Sequence, residues 1–322
     1  MTGVTDVTGV IGATAEVMPA LAARARRTAH PAGGTCAHPD TVLAERDDGA
    51  VVRHGDTVAK AHAPGTDPAD LARRLAAAVA LPAVLLAPLR PAPVALHGRQ
   101  VTFWPYGTPV DPDAPDDAPW EAAGALLARL HRAPAPAGLP PMRGPAKAAR
   151  AIARLRAAGP HPAAAPVLRA WATLPAWARD ERPQPDTATL CHGDVHLGQL
   201  VRHPDGTAAW RLIDVDDLGV GVPGWDLARP AAWYACGLLP PGDWTRFLTA
   251  YREEGGPAVP PAGDPWPALD VPARALTVQT AALAVAKSVA AGRPLDEVQQ
   301  AVVDACDRMA ATPPELVQDS TK

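Results

Sequence analysis

Apolar and polar residues alternate over three short stretches near the start of the chain, Thr41–Arg46, Ala50–His54 and Thr57–His62, with tight turns at Asp47-Asp48-Gly49 and Gly55-Asp56 between them. Such alternation predicts three strands joined as an antiparallel meander. Over Asp67–Ala80 the period changes: Leu71, Leu75 and Val79 fall at four-residue steps behind an Asp-Pro start, the stripe of one amphipathic helix. Arg99–Trp104 reads as a further strand that runs into Pro105-Tyr106-Gly107, and the Pro/Asp-rich stretch 108–119 carries no apolar pattern, which marks a linker. Beyond it helical spacing dominates, over 120–132, 145–158, 163–181, 225–237, 243–254, 271–291 and 295–311. One β-like insert interrupts it, with strands over 187–191, 199–202 and 208–215 and a turn at 203–206. Residues 1–40 lack strong periodicity and are expected as a loosely ordered arm with one short helix around 17–27. The pattern describes an α+β chain in two lobes: a small β-rich N-lobe with its hinge over 41–107 and a larger, mainly helical C-lobe over 108–322.

Composition narrows the function. A net charge of −4 gives no basic footprint for a phosphate backbone, so nucleic acid is not an expected partner. The four cysteines lie far apart with no C-x-x-C spacing, which suggests neither a zinc knuckle nor a disulfide framework and fits a reducing cytoplasm. The start of the chain lacks a signal peptide's positive end and apolar core, and the most apolar run, 75–89, is broken by Pro82 and Pro88, so no membrane association is expected. Only Ser288 and Ser320 are serines and neither sits in a G-x-S-x-G turn, which argues against a serine hydrolase. Lysine is rare: against an arginine background the chain holds only Lys60, Lys147, Lys287 and Lys322, so a lysine inside an active-site segment is informative.

The densest polar chemistry is His192-Gly-Asp194-Val-His196-Leu-Gly-Gln199, followed by Ile213-Asp214-Val-Asp216-Asp217. Carboxylates at strand ends can accept a proton or hold a metal, and phosphoryl transfer needs both tasks. These residues resemble the catalytic loop and metal-binding strand of the aminoglycoside phosphotransferase and choline-kinase-like family. Leu126-Leu127-Ala-Arg-Leu130-His131 and Gly221-Val-Pro-Gly-Trp-Asp226-Leu-Ala228 match two further patterns of that family, and Lys60 falls on the third strand, as the family implies. The resemblance implies a bilobal protein-kinase-like fold and an ATP-dependent (or other NTP-dependent) O-phosphotransferase acting on a small hydroxylated acceptor. It implies Asp194 as the base, His192 as a support of its loop, Gln199 and Asp214 as Mg²⁺ ligands and Lys60 on the nucleotide phosphates. The stretch holding Trp104 and Tyr106 would present backbone to the purine.

Two departures stand out. Gln199 replaces the usual Asn, and a loop with Gln there resembles maltokinases, so the acceptor is expected to be an aminoglycoside or a sugar. The helix over 67–80 lacks the Glu that kinases pair with the strand lysine, leaving Asp70 as a stand-in. A catalytically idle nucleotide-binding member is the alternative of another class. Gly219-Val-Gly221-Val-Pro-Gly224 formally matches a dinucleotide fingerprint, but three aspartates crowd its strand end. His192 and His196 could ligate zinc, although the glycines beside them oppose a helix presenting both. Lys60 could be a solvated edge-strand lysine, and the Trp and Tyr residues over 225–251 could be core or a sugar-stacking wall.

Overall fold

The computed structural model describes residues 8–33, 36–46, 48–186, 188–203 and 209–311. Asp47, Thr187 and all but His203 of the expected turn at 203–206 lie outside the described residues. Backbone contacts divide the chain into two compact units, Met1–Val110 with Leu200–Asp216, and Asp111–Gln199 with Asp217–Lys322.

In the first unit, helix α1 (Thr8–Ala29) precedes the strands β1 (Asp40–Arg46), β2 (Gly49–His54) and β3 (Thr57–Ala61), helix α2 (Pro68–Ala80), and the strands β4 (Val94–Leu96), β5 (Arg99–Pro105) and β6 (Thr108–Pro109). Strands β1 to β5 form an antiparallel sheet in the order β1-β2-β3-β5-β4. The meander follows the alternation, because residues two apart share a face of a strand. Ala59 and Ala61 are buried beneath α1 together with Val52 and Phe103, while Lys60 projects from the opposite face. Helix α1 is longer than the short segment expected: Val17, Leu21 and Ala25, four residues apart, are buried on β2 and β3, and this packing, invisible to local periodicity, anchors the supposed arm. Helix α2 starts where expected, with the Asp67 carboxylate accepting from the N–H groups of Ala69 and Asp70. Its buried stripe continues through Ala78, and Val79 is exposed.

The same unit takes up β8 (Leu200–Arg202) and β9 (Trp210–Leu212), which a division at 107/108 would leave in the second lobe. Strand β8 pairs with both β6 and β9, and Leu212 bridges to Leu85, so the hairpin's hydrogen bonds go to this side. Gly107 permits the approach, since a Cβ there would stand 2.5 Å from a Val201 methyl.

The second unit is mainly helical: α3 (Trp120–Arg132), α4 (Gly144–Ala157), α5 (Ala164–Thr173), then the strand β7 (Leu190–Cys191), its partner β10 (Gly219–Val220), and α6 (Gly224–Ala235), α7 (Pro241–Glu253), α8 (Trp266–Ala291) and α9 (Glu297–Ala310). Helix α5 stops at Thr173, short of the expected 181, because Pro175 disfavours helical backbone at Leu174. Helix α8 packs against α4, α5, α6 and α9, and the core between them contains Ile152, Leu155, Trp171, Val278 and Val285. The architecture is mixed, a small antiparallel sheet unit and a mainly helical remainder, as the hydrophobic pattern predicts.

Candidate active site

The conspicuous chemistry of the first unit gathers around Lys60. Its ammonium lies 2.6 Å from Asp214 Oδ1 and 3.0 Å from Asp216 Oδ2. Register explains the neighbours: Lys60 faces Thr102 across β3 and β5, and Val58 faces Trp104. Thr102 Oγ1 is 2.8 Å from His62 Nε2 and accepts from Trp104 Nε1 at 2.8 Å, while His62 Nδ1 lies 2.8 Å from Asp216 Oδ1. Burial works against the charge on Lys60, but the two carboxylates outweigh it and raise its pKa. Burial would likewise raise Asp216, and the Lys60 ammonium drives it well below the usual carboxylate range. Asp214 holds a left-handed backbone, φ 67, a strained conformation for a non-glycine residue.

Asp70 is not the partner of this lysine. It pairs with Arg73 at 2.8 Å on the exposed side of α2, and Asp216, two residues after Asp214, supplies the second carboxylate. Two carboxylates against one ammonium leave a negative charge over, and an all-oxygen donor set of this kind suits a hard cation such as Mg²⁺. Trp104 is buried, and Tyr106 carries the Arg53 guanidinium 3.4 Å from its ring centroid. The Tyr106 N–H donates to the Asp56 carbonyl at 2.8 Å.

In the second unit the loop after β7 is held from below by Asp226. This fully buried carboxylate accepts the N–H of His192 at 2.6 Å and of Gly193 at 2.7 Å, and His131 Nε2 is 3.0 Å from it. His131 in turn meets the Tyr251 hydroxyl at 2.8 Å, so the two motifs around residues 131 and 226 form one buried hydrogen-bond chain beneath the loop. Gly193 is at φ +84, and a Cβ there would lie 2.5 Å from the Asp217 carbonyl oxygen. His192 is fully buried and sits in the support of the loop.

Asp194 emerges beyond this clamp. Lys147 Nζ is 2.6 Å from its Oδ2, and an Arg229 guanidinium nitrogen donates to its Oδ1 at 3.1 Å. Lys147 also reaches Asp217 at 2.8 Å, and Arg229 holds the Val195 carbonyl at 3.1 Å. Burial favours the neutral acid, yet the Lys147 ammonium, with Arg229 behind it, lowers the Asp194 pKa to about 2. Burial, then the Arg229 guanidinium, lowers the His196 pKa to about 4, so it is neutral at pH 7. Gln199 ends a 3-10 turn over Leu197–Gln199 and is buried. A crevice beside Asp194 is lined by Lys147, Val195, Trp225, Arg229, Leu276 and Gln279.

Sequence reasoning missed Lys147, Arg229 and Asp216 as neighbours of the motif residues. Only the scarcity of lysine pointed toward Lys147. The glycines of the dinucleotide-like string serve the chain itself: a Cβ on Gly219 would strike the backbone at 140–142, and one on Gly221 would strike Gln184. Trp225, Trp244 and Tyr251 are buried, whereas Trp233 is exposed. Two C-terminal acids are engaged locally: Glu254 pairs with Arg129 at 2.6 Å and Asp270 with Arg274 at 2.8 Å. Asp296 caps α9. Among the described residues, no helix is long and apolar enough to cross a membrane.

A family model described as phosphotransferase enzyme family matches residues 28–266. Among solved structures the chain is similar to a choline/ethanolamine kinase family protein from Mesorhizobium loti, with 20% identity, a TM-score of 0.55 and coverage of 90% of this chain and 94% of that one. It is similar to spectinomycin phosphotransferase APH(9)-Ia in complex with ADP and spectinomycin, at 12% identity and a TM-score of 0.55, covering 87% and 92%. A thermostable mutant of aminoglycoside phosphotransferase APH(4)-Ia, in a ternary complex with AMP-PNP and hygromycin B, matches at 14% identity and a TM-score of 0.55, covering 85% and 95%. No match was found among curated proteins.

Proposed function

The chain belongs to the phosphotransferase enzyme family, and on that premise we propose that it is an ATP-dependent O-phosphotransferase that moves a γ-phosphate onto a hydroxyl of a small molecule. The observation that carries the proposal is the state of Asp194, an ionised carboxylate on a loop clamped through His192 and Gly193. Phosphoryl transfer asks little covalent chemistry of a protein and much positioning. A carboxylate with a pKa near 2 is a weak base, so its main task is to orient the acceptor hydroxyl and take its proton late. A carboxylate offers about four lone-pair sites, so Lys147 and Arg229 leave room for the hydroxyl. His192 positions this loop through its backbone.

Lys60 would hold the nucleotide phosphates. Asp214 and Asp216 of the first unit would offer carboxylate oxygens to Mg²⁺, which when bound would neutralise phosphate charge, and Gln199 keeps the ligand role that the resemblance gives it. The 103–106 stretch with Trp104 and Tyr106 is assigned to the base; because the Tyr106 N–H is taken by Asp56, its carbonyl is the group left for recognition. Solved relatives in complex with ADP or AMP-PNP support ATP as donor.

Relatives in complex with spectinomycin or hygromycin B favour an aminoglycoside-type acceptor. One observation favours the sugar-kinase reading instead: two cations lie within 3.1 Å of the Asp194 carboxylate, an unfavourable place for an ammonium-rich acceptor. A panel of neutral sugars and aminoglycosides, assayed for ADP release with ATP and Mg²⁺, separates the readings. Asp194→Asn should lower turnover by roughly 10²–10⁴-fold while nucleotide binding persists. Retention of more than about a tenth of the activity would remove Asp194 from the base's role. Metal-independent nucleotide binding without turnover on any acceptor would identify an idle member of the family.

A further inference from the structure

A second cluster of reactive side chains lies in the first unit, where the end of α1 and the link to β1 meet the end of β2. His30 follows the last residue of α1, Cys36 lies on the link to β1, and His54 closes β2. Their ligand atoms all fall within 4.8 Å of one another. His54 Nε2 is 3.3 Å from His30 Nε2 and 3.0 Å from Cys36 Sγ. His54 Nδ1 is 2.8 Å from Asp40 Oδ1.

The protonation pattern follows from the partners. An ionised carboxylate only accepts, so the proton of a neutral His54 stays on Nδ1 and its Nε2 presents a lone pair. That lone pair points where His30 Nε2 and the Cys36 sulfur also converge. The carboxylate behind the imidazole is the arrangement that fixes the tautomer and raises the basicity of a metal-binding histidine. With Zn–N of ~2.0–2.1 Å and Zn–S of ~2.3 Å, tetrahedral edges are about 3.3–3.4 Å between nitrogens and about 3.5–3.6 Å from nitrogen to sulfur. The observed nitrogen pair, 3.3 Å, already has that spacing. The sulfur contact, 3.0 Å, asks Cys36 to move outward by about half an ångström, and Cys36 is exposed and able to do so.

We propose that His30, Cys36 and His54 bind one zinc-type divalent cation, with Asp40 behind His54 and solvent in the fourth position. Mixed imidazole and thiolate ligands select a borderline-soft ion over the hard Mg²⁺ of phosphoryl transfer. The cation would tie the end of α1 to β2, and binding would release the Cys36 proton. Among the described residues a second such trio, His131, Cys191 and Asp226, is fully buried and already occupied by the hydrogen bonds that clamp the catalytic loop.

Titration of the full chain, free of any polyhistidine tag, with Co²⁺ as a spectroscopic probe tests the assignment. One equivalent should bring up a thiolate-to-cobalt charge-transfer band and the visible bands of a tetrahedral ion, and one equivalent of Zn²⁺ should remove both. Cys36→Ser should abolish the charge-transfer band and His30→Ala should weaken affinity at least about tenfold. Both residues are at least partly exposed, so both variants should keep the wild-type circular dichroism. Absence of the thiolate band at saturating Co²⁺ in the wild type, or its survival in Cys36→Ser, would overturn the proposal. Metal at the oxygen ligands alone gives no such band, so the outcome is independent of the kinase reading.

Discussion

Replacing Lys147 by Met keeps most of the stem that packs beside the loop and removes only the ammonium. In the native protein that ammonium lies 2.6 Å from Asp194 and 2.8 Å from Asp217. The drop of the Asp194 pKa from 3.8 to about 2 corresponds to about 2 kcal/mol in favour of its charged form, at ~1.36 kcal/mol per tenfold. Burial opposes this, and Lys147 is the first of the favourable partners, with Arg229 next. Lys147 is therefore the leading favourable partner, worth on the order of 1 kcal/mol, and its loss should move the Asp194 pKa up toward the ordinary carboxyl value. The sign is that of a depressed carboxyl: the stabilisation is complete above pH 3.8 and fades as pH falls through about 2. At pH 7 the variant should thus unfold about 1 kcal/mol more easily, and the difference should shrink below pH 4. Carbon-detected NMR titration of the aspartate carboxyls reads the pKa directly, and urea unfolding at both ends of the range reads the stability. If Asp194 titrated at the same pH in both proteins, the ion pair would not be what holds it ionised.

Asp226→Ala should lower stability by about 2–6 kcal/mol, because the buried N–H groups of His192 and Gly193 each lose an acceptor at ~1–3 kcal/mol; a urea midpoint within error of wild type would contradict the clamp. Gly193→Ala should cost turnover more than it costs global stability, since the left-handed φ and the Asp217 carbonyl displace only the loop; steady-state kinetics beside thermal melting decides this. Asp214→Ala should abolish divalent-metal-dependent transfer, whereas Gln199→Ala should reduce it only in part, because water can replace a neutral amide ligand and cannot replace a carboxylate; Mg²⁺ titrations of ADP release in both variants check it.

Sequence alone determined the elements whose signal is local. Alternation over 41–62 produced β1 to β3, the Asp67 cap and the Leu71 and Leu75 stripe produced α2, and the string at 192–199 was legible as a loop because its glycines and charges sit between apolar runs. Tertiary structure decided whatever depends on residues distant in the chain. Lys60 and Asp216 are 156 positions apart and Lys147 and Asp194 are 47 apart, so no periodicity could have chosen Asp216 over Asp70 or found the cation beside Asp194. The same holds for α1, whose Val17, Leu21 and Ala25 are a weak stripe until the sheet buries them, and for His30, Cys36 and His54, whose spacing matches no metal signature until the end of α1 meets the end of β2. Charges and ligand atoms act through space, with energies that fall with distance and rise with burial, and distance and burial are fixed only when the chain is packed.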